Sequence, residues 1–211
     1  MKRMQLTWLL GVAVLLCISV PGFADSVTFS TTGTFSGSPC ASTGSVCNTG
    51  SGVALSFDGL TNQTVTPDQS GKGGTLFTFN SLGTFNASPG SLTDFDGVSF
   101  TLDIMQSDPA ASPNSGSLLA TLSGNLQTTS SGTEVIFADP TSITLGGVTY
   151  QIASFTMDGA GVVLSPYDTN GGVTTLQGKI SEVAAPEPSA MLLLGSGLLS
   201  LAGIRRRWFT A

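Results

Sequence analysis

The chain contains no histidine among its 211 residues. Ser-His-Asp triads, Cys-His dyads and histidine-ligated zinc sites are therefore excluded, because each needs an imidazole as base or ligand. Arginine occurs only at Arg3 and at 205–207, so the stretch 25–187 has none for bidentate binding of phosphate or carboxylate groups. The two tryptophans, Trp8 and Trp208, also lie outside that stretch.

The stretch 25–187 is strongly acidic. Its two lysines, Lys72 and Lys179, stand against all thirteen carboxylates of the chain, which gives a net charge of −11. Such a charge repels nucleic acid and anionic lipid head groups, so no nucleic-acid partner is expected.

The first twenty-four residues have the composition of a secretory signal peptide. Lys2 and Arg3 form a positive beginning, an apolar run covers 6–20, and small residues precede the predicted cleavage between Ala24 and Asp25. The leader predicts that the protein is exported. Because such a leader is cut off, it is not part of the predicted domain.

The last twenty-six residues, 186–211, have a pattern of their own. Pro186, Glu187 and Pro188 form a stiff, extended triplet, because proline fixes its own backbone and disfavours helix in the preceding residue. An apolar run at about 190–204 follows, and we predict that it is a transmembrane helix, although its ~22 Å fall short of a ~30 Å hydrocarbon core. Arg205, Arg206 and Arg207 then place the C-terminus in the cytoplasm.

This tail closely resembles the PEP-CTERM sorting signal of exported bacterial proteins. The residues that carry the resemblance are Pro186-Glu187-Pro188-Ser189, the Leu/Gly/Ala-rich run and the arginines. The resemblance implies recognition by exosortase, an integral membrane cysteine transpeptidase, and processing near the triplet. It also implies an inner-membrane-anchored precursor that later reaches the cell surface or the extracellular space of a polysaccharide-producing bacterium. A simple membrane anchor with a proline linker is the alternative interpretation.

Residues 25–185 predict one all-β domain rich in Ser, Thr and Gly. Short apolar alternations separated by turn residues are typical of a sandwich or barrel, and the clearest alternation covers 98–104. We therefore predict a single antiparallel β-sandwich, jelly-roll-like, of nine or ten strands. The predicted strands are 27–34, 53–57, 75–79, 98–104, 118–126, 134–138, 143–145, 148–155, 161–164 and 173–180.

Cys40 and Cys47 remain once the leader is removed. An even pair in an exported chain predicts a disulfide, and a reduced metal-binding pair is the alternative. We expect it to hold a long surface loop over 35–52, and we expect 181–185 to be a short tether to the tail.

Three residue patterns suggest ligand chemistry. Asp94 and Asp96 alternate on an extended chain and are candidate calcium ligands, with an ordinary turn as the alternative. Tyr167, in a predicted loop, is the candidate for stacking on a sugar, whereas Tyr150 alternates with apolar residues and is expected in the core, as are most phenylalanines. Glu134 is the candidate for a carboxylate-based hydrolase.

These observations predict a non-catalytic exported surface or matrix protein associated with extracellular polysaccharide. No cofactor is expected apart from the candidate calcium ion. The first alternative is a carbohydrate-binding module for an extracellular polysaccharide, and the second alternative is a carboxylate-based hydrolase.

Overall fold

Sixteen β-strands and one short 3-10 turn make up the regular structure in a computed structural model that describes residues 26–71, 75–156 and 158–183. These ranges contain no α-helix, and all the strands belong to one compact unit. The strands are β1 (Val27–Ser36), β2 (Val46–Cys47), β3 (Leu55–Asp58), β4 (Gln63–Val65), β5 (Gln69–Ser70), β6 (Thr75–Ala87), β7 (Thr93–Asp94), β8 (Ser99–Asp108), β9 (Ser115–Ser123), β10 (Asn125–Leu126), β11 (Glu134–Phe137), β12 (Ser142–Leu145), β13 (Val148–Ile152), β14 (Phe155–Thr156), β15 (Gly159–Val163) and β16 (Val173–Val183).

The strands form two large sheets and one small pair. The first sheet has the order β14-β15-β11-β9-β8-β1-β4, and the second has the order β12-β13-β16-β6-β3-β2 with β5 also beside β6. Strands β7 and β10 pair separately. Every strand pair is antiparallel, which confirms the all-β, antiparallel part of the prediction.

Buried and more accessible residues alternate along β1 and β8, which explains why both segments form strands with one apolar face. In β8, Phe100, Leu102 and Ile104 are fully buried, while the residues between them are more accessible. Because successive side chains of a strand point to opposite faces, this pattern gives the sheet one apolar face. Paired over nearly its full length with β1, strand β8 directs that face into the core.

A phenylalanine cluster joins the two sheets. The ring of Phe100 lies 4.9 Å from Phe35, 5.1 Å from Phe57 and 5.0 Å from Phe85 between centroids. Phe35 and Phe100 belong to the first sheet, whereas Phe57 and Phe85 belong to the second. Gly33 leaves the space that these rings fill, because a Cβ atom there would overlap Phe57 and lie 2.6 Å from Phe100.

Two buried polar contacts also cross between the sheets. Thr31 on β1 donates its hydroxyl to the carbonyl of Leu82 on β6 at 2.7 Å. Tyr150 on β13 donates its hydroxyl to Gln106 Oε1 on β8 at 3.0 Å, and Gln106 Nε2 donates to the carbonyl of Pro109 at 2.6 Å. Burial raises the pKa of the Tyr150 phenol well above its ordinary value, so the hydroxyl stays a donor. The core position predicted for Tyr150 is confirmed.

Cys40 and Cys47 form the predicted disulfide, with the two sulfur atoms 2.03 Å apart. The prediction of a long surface loop over 35–52 is wrong in part, because β2 lies in this segment and the Cys47 side chain is fully buried. Similarly, the tether predicted at 181–185 begins inside β16, which continues to Val183.

Replacing Cys40 and Cys47 together by alanine should lower the free energy of unfolding by about 2–3 kcal/mol, since the short closed loop no longer restricts the unfolded chain. Thermal unfolding with and without a reductant measures the effect. The reductant should lower the Tm of the wild-type chain and leave the Tm of the double variant unchanged. Equal Tm values for oxidised and reduced wild-type chain would contradict the prediction.

Gly33→Ala should lower the free energy of unfolding by about 1–3 kcal/mol, because the added methyl group overpacks the phenylalanine cluster. Gly44→Ala is the matched control, since a Cβ at that position meets nothing within 4 Å. Urea unfolding of both variants tests the prediction. A Gly33 variant as stable as the Gly44 variant would show that the cluster can relax around the methyl group.

Candidate functional site

Asp94 and Asp96 lie where β7 leads into β8. Asp94 Oδ1 accepts the backbone N–H of Asp96 at 2.9 Å. Asp96 Oδ1 accepts the backbone N–H of Gly124 and the hydroxyl of Ser123, the latter at 3.2 Å. Both carboxylates therefore hold the backbone of this loop, and Asp96 fastens it to the turn after β9.

The oxygen atoms at this loop can be compared with what a metal needs. Calcium takes six to eight oxygen ligands, and two carboxylates supply only part of such a shell. In the described ranges, no group of three His, Cys, Asp or Glu side chains is placed to hold a metal ion. Calcium binding by Asp94 and Asp96 stays a prediction.

Glu134 lies near the same loop. It stands at the start of β11 directly opposite Ser123 of β9, whose hydroxyl donates to Asp96. Asp96 and Glu134, distant in sequence, thus flank one serine. Glu134 is half-buried, and its Oε2 is buried with no hydrogen-bond partner. Asp96 already accepts two hydrogen bonds that fold the loop, so its carboxylate has a structural task.

Tyr167 lies in the loop between β15 and β16. The backbone N–H of Asp168 donates to the carbonyl of Thr128 at 2.9 Å, and that of Thr169 donates to the carbonyl of Pro166 at 3.0 Å. The loop is thus attached to the segment that follows β10. The Tyr167 side chain is 43% exposed, as a sugar-stacking residue must be, and its role as a ligand contact stays a prediction.

Several phenylalanines do not occupy the inward positions expected of them. Phe155 is 73% exposed and Phe79 is 54% exposed. Phe77 and Phe79 lie on the outward face of β6, although Phe85 of the same strand is buried. The cause is a bulge, because the register of β6 against β16 shifts between Ser81 and Gly83. One extra residue reverses which face the odd-numbered positions take.

Strand β16 ends the described part of the chain at Val183. The family model for the PEP-CTERM protein-sorting motif matches residues 184–207. The chain carries a PEP-CTERM sorting motif. It implies a secreted protein that is processed at a membrane, where exosortase recognises such signals. No curated protein and no solved structure matches the chain.

Several predicted sites lie outside the described residues. These are the PEP-CTERM residues Pro186, Glu187, Pro188, Arg205, Arg206 and Arg207, the transmembrane helix at about 190–204, and the signal peptide with its cleavage between Ala24 and Asp25. Within the described ranges, no helix has the length and apolar character to cross a membrane.

Asp96→Ala should lower the free energy of unfolding by about 1–3 kcal/mol, since the N–H of Gly124 and the hydroxyl of Ser123 lose their acceptor. Asp158→Ala is the control, because it removes the same charge from an exposed turn. Urea unfolding of the two variants is the measurement. Equal stability of both would mean that the Asp96 contacts contribute nothing measurable.

Proposed function

We propose that the chain is a non-catalytic, exported bacterial surface or extracellular-matrix protein that an exosortase-type membrane transpeptidase sorts and cuts at its PEP-CTERM motif. The observation that carries this proposal is the match of the motif to residues 184–207. In the proposed precursor, the apolar run at about 190–204 anchors the chain in the inner membrane, and the arginines stay in the cytoplasm.

The end of the last strand supports this order of events. Strand β16 ends at Val183, so a cut near Pro186 leaves every described strand intact. The released product keeps β16 paired with both β6 and β13. We further propose that the two large sheets form a jelly-roll-like sandwich, since buried side chains from both meet in one hydrophobic cluster.

The absence of histidine and the structural hydrogen bonds of Asp96 support a non-catalytic role. The acidic charge supports a soluble surface or matrix component, since a high net charge opposes self-association. A carbohydrate-binding module is the second candidate, and the exposed Tyr167 is the observation that favours it.

Glu187→Ala, or replacement of Pro186 and Pro188 together by alanine, should leave uncut precursor in the membrane of the native host. The reason is that the stiff triplet is what the processing enzyme reads in this proposal. Immunoblots of membrane and released fractions, with mass spectrometry of the mature ends, provide the measurement. Thr210→Ala, beyond the matched residues, is the control and should be processed normally. Normal release of the triplet variants would contradict this prediction and show that the triplet is only a linker.

A further inference from the structure

A patch of Phe77, Phe79 and Lys179 lies on the outward face of the second sheet. Lys179 of β16 stands directly opposite Phe79 of β6. The ring of Phe77 lies 5.7 Å from that of Phe79 between centroids, and Lys179 Nζ lies 4.5 Å from the Phe77 centroid. We call these three residues the Phe-Lys patch.

The residues that stand opposite the Phe-Lys patch on neighbouring strands carry no acidic group. Lys179 stands opposite Gln151 of β13, and Phe77 stands opposite Ser181 of β16 and Gln69 of β5. Lys179 is the one basic residue within the described ranges. The net charge of −11 over 25–187 repels anionic lipid head groups from the domain as a whole, and the Phe-Lys patch is a local exception because it combines apolar rings with a positive charge.

We propose that the Phe-Lys patch contacts the lipid head-group surface while the precursor is anchored. The inference rests on the proposed function, since it needs the anchor. Phenylalanine and lysine on one surface suit the lipid–water interface, where the rings enter the acyl boundary and the ammonium group reaches the phosphates.

The length of chain beyond the structure supports this occupant. Only residues 184–189 separate the end of β16 from the predicted apolar run, and six residues span at most about 20 Å when extended. Lys179 lies four residues before Val183, or ~13 Å along the strand. The anchor therefore keeps the Phe-Lys patch within about 35 Å of the bilayer surface.

The ring geometry favours a lipid surface over a polysaccharide chain. The planes of Phe77 and Phe79 are 80° apart, so the two rings do not form one flat platform for stacked sugars. Lysine also lies over the ring of Phe77, where a sugar would stack. A bilayer interface needs no common ring plane, because it accepts apolar side chains in any orientation.

The test places a single tryptophan in the full chain. Trp8 and Trp208 are replaced by Phe, and Phe79→Trp is compared with Leu119→Trp, because Leu119 of β9 is 61% exposed on the outward face of the first sheet. Each chain is reconstituted into phosphatidylcholine vesicles containing about one-third phosphatidylglycerol and acyl-brominated lipid. Flotation of the vesicles reports anchoring independently of the fluorescence, and the same chain ending at residue 185 shows how much of the flotation comes from the leader.

We expect the brominated lipid to quench the Phe79→Trp chain about twofold more than the Leu119→Trp chain, with a blue-shifted emission of the former. Adding Lys179→Gln should reduce the quenching at position 79, whereas Lys179→Arg should retain it. Equal quenching of the two tryptophans in chains that float would overturn the inference and leave the anchor intact. Failure of the chains to float would show that the tail does not anchor them, which would overturn the proposed anchor and the inference that depends on it.

Two other occupants are separated by the same chains. An emission change of the Phe79→Trp chain on adding soluble polygalacturonate, with no response to vesicles, would assign the Phe-Lys patch to an acidic polysaccharide. A change that follows protein concentration alone would assign it to a second copy of the chain. Either result overturns the proposal.

Discussion

The contact of Phe100 with Phe35, Phe57 and Phe85 is the interaction on which the architecture depends. All three ring pairs have centroids about 5 Å apart, and the two pairs with Phe57 and Phe85 join the first sheet to the second. Such pairs contribute about 0.5–1.5 kcal/mol each beyond the burial of their area, so three of them are comparable with the short disulfide. The close approach at Gly33 is the local requirement that lets the rings meet.

Around this apolar centre, buried polar groups fix how the sheets face each other. Thr31 and Tyr150 each satisfy their hydroxyl on the opposite sheet. Because an unpaired buried hydroxyl is costly, a sliding of one sheet over the other would lose these bonds as well as ring contacts. Asp94 and Asp96, by contrast, act locally by holding one loop.

Period-two alternation predicts the strands whose inner face is uniformly apolar, such as β8, and it places Tyr150 in the core. It fails at β6, where the bulge between Ser81 and Gly83 puts Phe79 and Phe85 on opposite faces. The short strands β2, β5 and β7 have too few residues for any period, so tertiary pairing alone defines them. The sorting motif is readable because its residues are contiguous, whereas Ser123 lies between Asp96 and Glu134 only after folding.

The position of β16 makes the completion of the second sheet depend on the last described residues of the chain. β16 pairs with β6 on one side and with β13 on the other, so it is an interior strand although it comes last in the described chain. Until β16 joins them, β6 and β13 lack their shared neighbour. The second sheet therefore stays divided until β16 is available, so the fold is complete only when the residues directly before the sorting motif have joined it.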